Sequence, residues 1–242
     1  MPTDTVTTNK GPINPSNLTT YIHPIVKYGK RVFDLCFSMA GLLLLLPILP
    51  LIVLAIKLDS KGPILYRQRR AGKSQLSDEP PSHDQRKHCQ FDHRNTFSII
   101  KFRSMYTDAE IDGVPRLAEK SDPRITKVGK FLRKTRLDET PQLINVICGD
   151  MSLIGPRPER PELSFDIESQ RPFFTERTYG VLPGLTGLAQ INQSYLDSVN
   201  NIDAKLSYDH AYSLALSNPM SWLITDLKIV FKTILTVIKC NG

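Results

Sequence analysis

The sequence has no CxxC pair and no phosphate-cradling glycine loop of the GxxxxGK[ST] type, since Gly129 and Gly149 stand alone. A P-loop or dinucleotide-binding site therefore finds no support. Only four cysteines are present, Cys36, Cys89, Cys148 and Cys240, and their scatter argues against a disulfide scaffold and for reduced thiols. The first 20 residues are rich in Thr, Asn and Pro with almost no apolar block, so they read as a mobile tail rather than a signal peptide. No internal repeat is visible, which leaves 242 residues for one domain or two small ones. Acidic residues are outnumbered 24 to 31, giving a net charge of +7 and a pI near 9.2. Such a chain seeks an anionic partner: nucleic acid, a phosphorylated substrate or a membrane surface.

Charge is missing altogether from Leu35 to Ile56, LCFSMAGLLLLLPILPLIVLAI. Roughly 20 apolar residues suffice to cross a bilayer core. Two features oppose a simple crossing. Pro47 and Pro50 sit in the middle, where each removes a helical hydrogen bond. Both flanks are basic, with Lys27, Lys30 and Arg31 before and Lys57, Lys61, Arg67, Arg69, Arg70 and Lys73 after, whereas a spanning helix places its basic flank on one side. A helix–break–helix that dips into one leaflet and returns satisfies both. Its first arm, Leu35–Leu46, would be ~18 Å long, about half the bilayer core. A kinked spanning helix and a buried core helix are the alternatives; five consecutive leucines leave the second without a polar face.

The densest polar chemistry lies between Asp122 and Pro158, DPRITKVGKFLRKTRLDETPQLINVICGDMSLIGPRP. Two adjacent acids, Asp138 and Glu139, are flanked by Arg124, Arg133 and Arg136 before and by Arg157 and Arg160 after. Thr140 and Pro141 form a helix-start signal ahead of the apolar run Leu143–Ile147, so the acids are expected at the positive end of a helix dipole, which keeps carboxylates ionised. Paired acids beside arginines suit phosphate chemistry: a nucleophile, a metal ligand and cations for phosphate oxygens. A solvated helix start with surface salt bridges explains the same residues. Arg157 lies between Pro156 and Pro158, whose restricted backbones hold its guanidinium on a stiff strap. Lys101 and Arg103 share one face of an expected strand and either point toward phosphate or cover the sheet rim.

Elsewhere, strands are expected at Ile64–Arg70 and Phe97–Arg103, joined by a polar exposed loop over 73–95. Thr107–Glu119 reads as helical or irregular. Short helices are expected at Val128–Lys134 and Thr140–Cys148, an extended stretch at Gly155–Pro161 and a turn at Pro183–Gly187. Longer helices are expected at Asp203–Leu216 and Pro219–Lys239. The last, with Trp222 at its start and lysines opposite Leu223, Leu227, Val230, Ile234 and Val237, either lies in a membrane interface or docks on the core. His83, His88 and His93, with Asp84 and Cys89 nearby, fit no usual zinc spacing. The run Arg67–Arg70 is better explained by anionic lipid than by nucleic acid, given the neighbouring apolar segment.

Taken in order, KRVFDL (Lys30–Leu35), the proline-broken apolar helix with Pro47, DSKGPILYRQRRAGK, FSIIKFRSM (Phe97–Met105), the Asp122–Pro158 block, PGLTGLAQIN (Pro183–Asn192) and DLKIVFKTI resemble the bacterial sugar transferase family, the monotopic phosphoglycosyl transferases, from Lys30 to the C-terminus. The resemblance implies a mostly α fold with a small β-hairpin. It implies a monotopic membrane protein with a proline-broken re-entrant N-terminal helix and a cytoplasmic catalytic domain, on the cytoplasmic face of the bacterial inner membrane. The chain would divide into a flexible tail (1–26), the re-entrant helix (27–58) and a catalytic domain with interfacial helices (59–242). The implied reaction moves a sugar 1-phosphate from a UDP-sugar to undecaprenyl phosphate, releasing UMP, as the first membrane step of polysaccharide or glycoconjugate assembly. Asp138 matches the family's nucleophile and Glu139 its Mg²⁺ ligand. Arg133 and Arg157 are candidate phosphate clamps, with Lys101, Arg103 and Arg124 behind them. Implied partners are membrane lipids and downstream glycosyltransferases, with no nucleic acid. A non-catalytic scaffold that binds lipid-linked sugars is the alternative. Two features depart from the family: Leu46-Pro47 replaces the frequent Ser-Pro at the break, and the 73–95 loop is long. The chain resembles the compact catalytic form rather than members with a large N-terminal membrane domain.

Overall fold

The structure, a computed structural model, describes residues 21–73, 96–107, 109, 122–171, 174–193 and 201–238. It is mostly helical with a small antiparallel hairpin. Helix α1 (Pro24–Leu45) starts with Pro24 in its first turn and His23 as N-cap, the imidazole Nδ1 accepting from Ile25 N at 3.2 Å. It ends at the Pro47 break. Helix α2 (Leu49–Asp59) follows, bent from α1 by 65°. Pro50 lies in the first turn of α2, where a missing N–H removes no helical bond, so Pro47 rather than Pro50 marks the break. No single described helix is long and apolar enough to cross a membrane, whereas the bent pair passes that test together by length and composition.

Helix α1 is inside out. Lys30, Asp34 and Ser38, one helical turn apart, are buried against the protein, while Ile25, Tyr28, Val32, Leu43 and Leu44 are exposed. Asp34 Oδ1 accepts from Ser152 Oγ (3.0 Å) and Leu153 N (2.9 Å), and Arg31 donates to the carbonyls of Val146 and Ile147, each at 2.7 Å.

Strands β1 (Leu65–Ala71) and β2 (Thr96–Phe102) pair antiparallel with Leu65 opposite Phe102 and Ala71 opposite Thr96. The expected hairpin is present, and nearly all of its 73–95 loop, with the three histidines, lies outside the described residues, as does nearly all of Thr107–Glu119. Helix α3 (Lys127–Lys134) is capped by Thr126, whose Oγ1 accepts from Gly129 N at 2.9 Å. A Cβ on Gly129 would stand 2.0 Å from the Ser104 carbonyl oxygen, so glycine is required for α3 to approach the segment after β2. Helix α4 (Gln142–Cys148) ends at Gly149, at φ 92°.

Strand β3 (Ser152–Ile154) pairs parallel with β4 (Gly184–Thr186). The turn expected at Pro183–Gly187 is thus a short strand: Pro183 O accepts from Ser152 N, Thr186 O from Gly155 N, and Gly184 N donates to Pro156 O. Helices α5 (Pro161–Gln170), α6 (Leu188–Asn192), α7 (Ile202–Ala215) and α8 (Pro219–Ile238) complete the chain. Helix α8 docks on the core through Ile229, and Trp222 Nε1 donates to buried Asp226 at 2.7 Å. It also leaves an exposed apolar stripe of Met220, Ile224, Leu227, Phe231 and Ile234. One core cluster joins α1, β3, α7 and α8 through Val26, Ile154, Tyr212 and Ile229. A second joins α2, β2 and α3 through Ile52, Ile56, Phe102 and Leu132.

Candidate active site

The acid pair sits on a single 3-10 turn, Leu137–Glu139, between α3 and α4. Arg136 reverses the chain there at φ 59°, the one positive-φ residue other than glycine among the described residues. Leu137 packs on the cluster around Leu132, which pulls the following acid inward. Asp138 is 6% exposed. The expected Thr140 N-cap is not formed. Pro141 occupies the cap position, and the Thr140 hydroxyl donates back to Leu137 O at 2.7 Å. The 3-10 turn takes the residues that a capped first helical turn would have used.

Asparagine 145 fixes α4 against the hairpin. Its Oδ1 accepts from Ile100 N (3.1 Å) and its Nδ2 donates to Ser98 O (2.8 Å), so the amide pairs with the β2 edge as a strand would. Lys101, the next residue along, then reaches Glu139, its Nζ donating to Oε1 at 2.6 Å. Arg157 Nη2 donates to the same oxygen at 3.1 Å. Burial pushes the Glu139 carboxyl up, but Lys101 and Arg157 outweigh it and hold the group well below the usual carboxylate range.

Asp138 differs. Burial first, then the charge of Glu139, push its carboxyl up to about 6, against Lys101, Arg133 and Arg136. Its Oδ1 is buried without a hydrogen-bond partner. Enclosure thus outweighs the expected helix end in setting Asp138, although a carboxyl at about 6 stays mostly ionised at pH 7. Two neighbouring carboxylates are held in unequal states, the arrangement that separates a base or nucleophile from a permanent anion.

The other candidates fall in different places. Arg133 and Arg136 act on Asp138 through their charge. Arg103 is buried and points away. It donates to the carbonyls of Lys61 (2.8 Å), Ser60 (2.6 Å) and Ile56 (3.3 Å), closing the C-terminal end of α2. It follows β2 rather than lying in it, so the alternation that paired it with Lys101 does not extend that far. Arg124 forms a two-toothed pair with Asp122, Nε to Oδ1 at 2.9 Å and Nη2 to Oδ2 at 2.6 Å.

Residues that sequence reasoning missed join the site from behind. Arg70, read as lipid-facing, donates to Pro158 O at 3.0 Å, and its charge is felt alongside Arg157 and Glu139. Arg177 Nη2 donates to Arg157 O at 2.9 Å, while its Nη1 bonds Asp209 Oδ2 at 2.8 Å. Lys205 pairs with Glu159. Nothing in local spacing marks these pairs, whose members lie 32 and 46 residues apart.

Among the described residues there is no group of three or more His, Cys, Asp or Glu side chains that could hold a metal. The acid pair nevertheless offers two carboxylates and the unpartnered Asp138 oxygen. That donor set suits a hard cation that completes its shell with phosphate oxygens and water.

Comparison with known proteins agrees with the motifs. Over 213 residues the chain is 39% identical to an undecaprenyl-phosphate glucose phosphotransferase of Komagataeibacter xylinus, covering 85% of this chain and 35% of that protein. It is 36% identical to a UDP-N-acetylgalactosamine-undecaprenyl-phosphate N-acetylgalactosaminephosphotransferase of Aeromonas hydrophila, covering 90% and 46%. It is 35% identical to an exopolysaccharide production protein of Rhizobium leguminosarum, covering 86% and 94%. The chain thus spans a third to a half of the length of the first two and nearly all of the third. Residues 25–240 match the bacterial sugar transferase family throughout, and the chain belongs to it.

Proposed function

We infer that this protein transfers a sugar 1-phosphate from a UDP-sugar to undecaprenyl phosphate, giving a polyprenyl-diphosphate sugar and UMP. The observation that carries this reading is the unequal acid pair: a buried Asp138 whose carboxyl is raised to about 6, beside a Glu139 held ionised by Lys101 and Arg157. The names of the relatives support the donor and acceptor classes.

An Asp138 carboxylate oxygen attacks the phosphorus that bears the sugar. The bond from that phosphorus to the bridging oxygen breaks, UMP leaves and a phosphosugar remains on the carboxylate. A phosphate oxygen of the lipid then attacks the same phosphorus, and the bond from that phosphorus to the Asp138 oxygen breaks, so that both oxygens return to the carboxylate. A carboxyl near 6 suits this role, being mostly ionised at pH 7 yet more basic than an exposed aspartate. Arg133 and Arg157 would hold phosphate oxygens, and Lys101 keeps Glu139 oriented. Glu139 would hold Mg²⁺, which when bound supplies positive charge against the diphosphate.

The inside-out α1 supports placing residues 27–58 in one leaflet as a re-entrant helix, since its exposed apolar side chains need lipid and its polar ones face the protein. Residues 59–242 then work at the cytoplasmic face, where the lipid phosphate lies at headgroup depth and the exposed stripe of α8 rests on the interface. The product would pass to downstream glycosyltransferases. The test is UMP release from the full chain with UDP-sugar, undecaprenyl phosphate and Mg²⁺, followed by omission of the lipid and a radiolabelled sugar. Label retained on the protein, and lost in Asp138→Asn, is expected. Turnover without any trapped label would instead make Asp138 a general base in a direct transfer.

A further inference from the structure

The Arg157 strap is held along its whole length by its carbonyls. Pro156 O accepts from Gly184 N (2.8 Å), Arg157 O from Arg177 Nη2 (2.9 Å), Pro158 O from Arg70 Nη1 (3.0 Å) and Glu159 O from Ala71 N (2.9 Å). Two are fixings by the surrounding backbone and one is by the part-buried Arg70. The fourth is unusual, because Arg177 and its partner Asp209 are both buried, with side chains 3% and 2% exposed. Removing two charges from water is unfavourable unless close geometry and additional hydrogen bonds offset it. Here the guanidinium fork is shared: one tooth on Asp209, the other on the backbone of the residue that reaches Glu139. Its flat face covers the Phe174 ring at 4.4 Å, which removes its remaining freedom. Asp209 and Lys205 stand one helical turn apart on α7, and Lys205 pins Glu159 two residues along the same strap.

The geometry points to Arg177 and Asp209 as positioning residues for the phosphate clamp, with α7 serving as the rigid backing against which Arg157 is aimed. This rests on Arg157 as a phosphate ligand, as proposed above. The fork matters more than the charge. A lysine at 177 can satisfy Asp209 or the Arg157 carbonyl but cannot bridge them in one plane. Small misplacements of a group that grips the transition state are expensive in rate while leaving the fold intact.

The test is a double-mutant cycle on the full chain in detergent or nanodiscs, measuring kcat and KM for the nucleotide sugar together with the thermal midpoint. Arg177→Lys in the native background is expected to lower kcat/KM about 10- to 100-fold. In the Arg157→Lys background the same substitution is expected to change kcat/KM less than about twofold, because the residue it aims is already gone. Its effect on the thermal midpoint should be equal in both backgrounds. Equal losses of activity in the two backgrounds, or no loss in the native one, would overturn the proposal. Asp209→Asn keeps an acceptor for Arg177 and gives a second cycle with the same expected pattern, should Arg177→Lys not fold. If Arg157→Lys alone leaves activity intact, the clamp reading of Arg157 fails instead.

Discussion

At the scale of single residues, Asp138 is held in a state that opposes stability. Its folded value of about 6 lies above the ordinary 3.8, so stability is fully present below about pH 4 and is lost as pH rises through 6. Holding the carboxylate ionised at pH 7 costs about 3 kcal/mol from a shift of roughly two units. Asp138→Asn should therefore abolish transfer while raising the thermal midpoint by several degrees, measured side by side in one detergent. The activity profile carries the same signature. If Asp138 must be ionised, kcat/KM should fall about tenfold between pH 7 and pH 5, whereas a carboxyl at its ordinary value would leave it nearly flat. Asp138 and Glu139 were legible as candidates because two acids among arginines are conspicuous. Their division into nucleophile and metal ligand came from the family resemblance alone, and their unequal ionisation was not legible, because it depends on enclosure and on which cation reaches which oxygen. Arg103 shows the reverse limit, since a basic residue beside a strand looks like a phosphate ligand until its carbonyl partners are known.

At the scale of elements, the hairpin, α3, α7 and α8 follow patterns visible in the chain: alternation and helical periodicity. The parallel pairing of β3 and β4 does not, because three-residue strands carry too little pattern and owe their register to contacts across 32 residues. The coupling of α4 to β2 was equally hidden, as one side chain performs it. Asn145→Ala would leave Ile100 N and Ser98 O without these partners, with an expected loss on the order of 3 kcal/mol, read from denaturation in detergent. Because Lys101 follows Ile100, the same variant should weaken activity beyond what its melting point explains. Asn145→Ala activity unchanged at a temperature well below melting would show that β2 holds Lys101 without help from α4.

At the scale of the whole molecule, most of the exposed large apolar side chains lie on α1, α2 and α8. Cys36 provides a native probe of that surface, being exposed on α1. With the other three cysteines replaced by serine, Cys36 should resist a water-soluble maleimide in membranes and react once lipid is replaced by a denaturing detergent. Rapid labelling in intact membranes would remove α1 from the leaflet. The hydrophobic break was readable from prolines and flanking charge, but the manner of its attachment was not. One arm, α1, is tied to the end of α4 through Arg31, and the other, α2, to the end of β2 through Arg103 and to α3 through Asp59 Oδ2, which accepts from Val128 N at 2.8 Å. The acid turn is the short piece of chain between α3 and α4. The 65° bend and the setting of the acids are consequently one mechanical variable, as in a pair of calipers: the legs cannot be opened without either breaking those bonds or moving the tips.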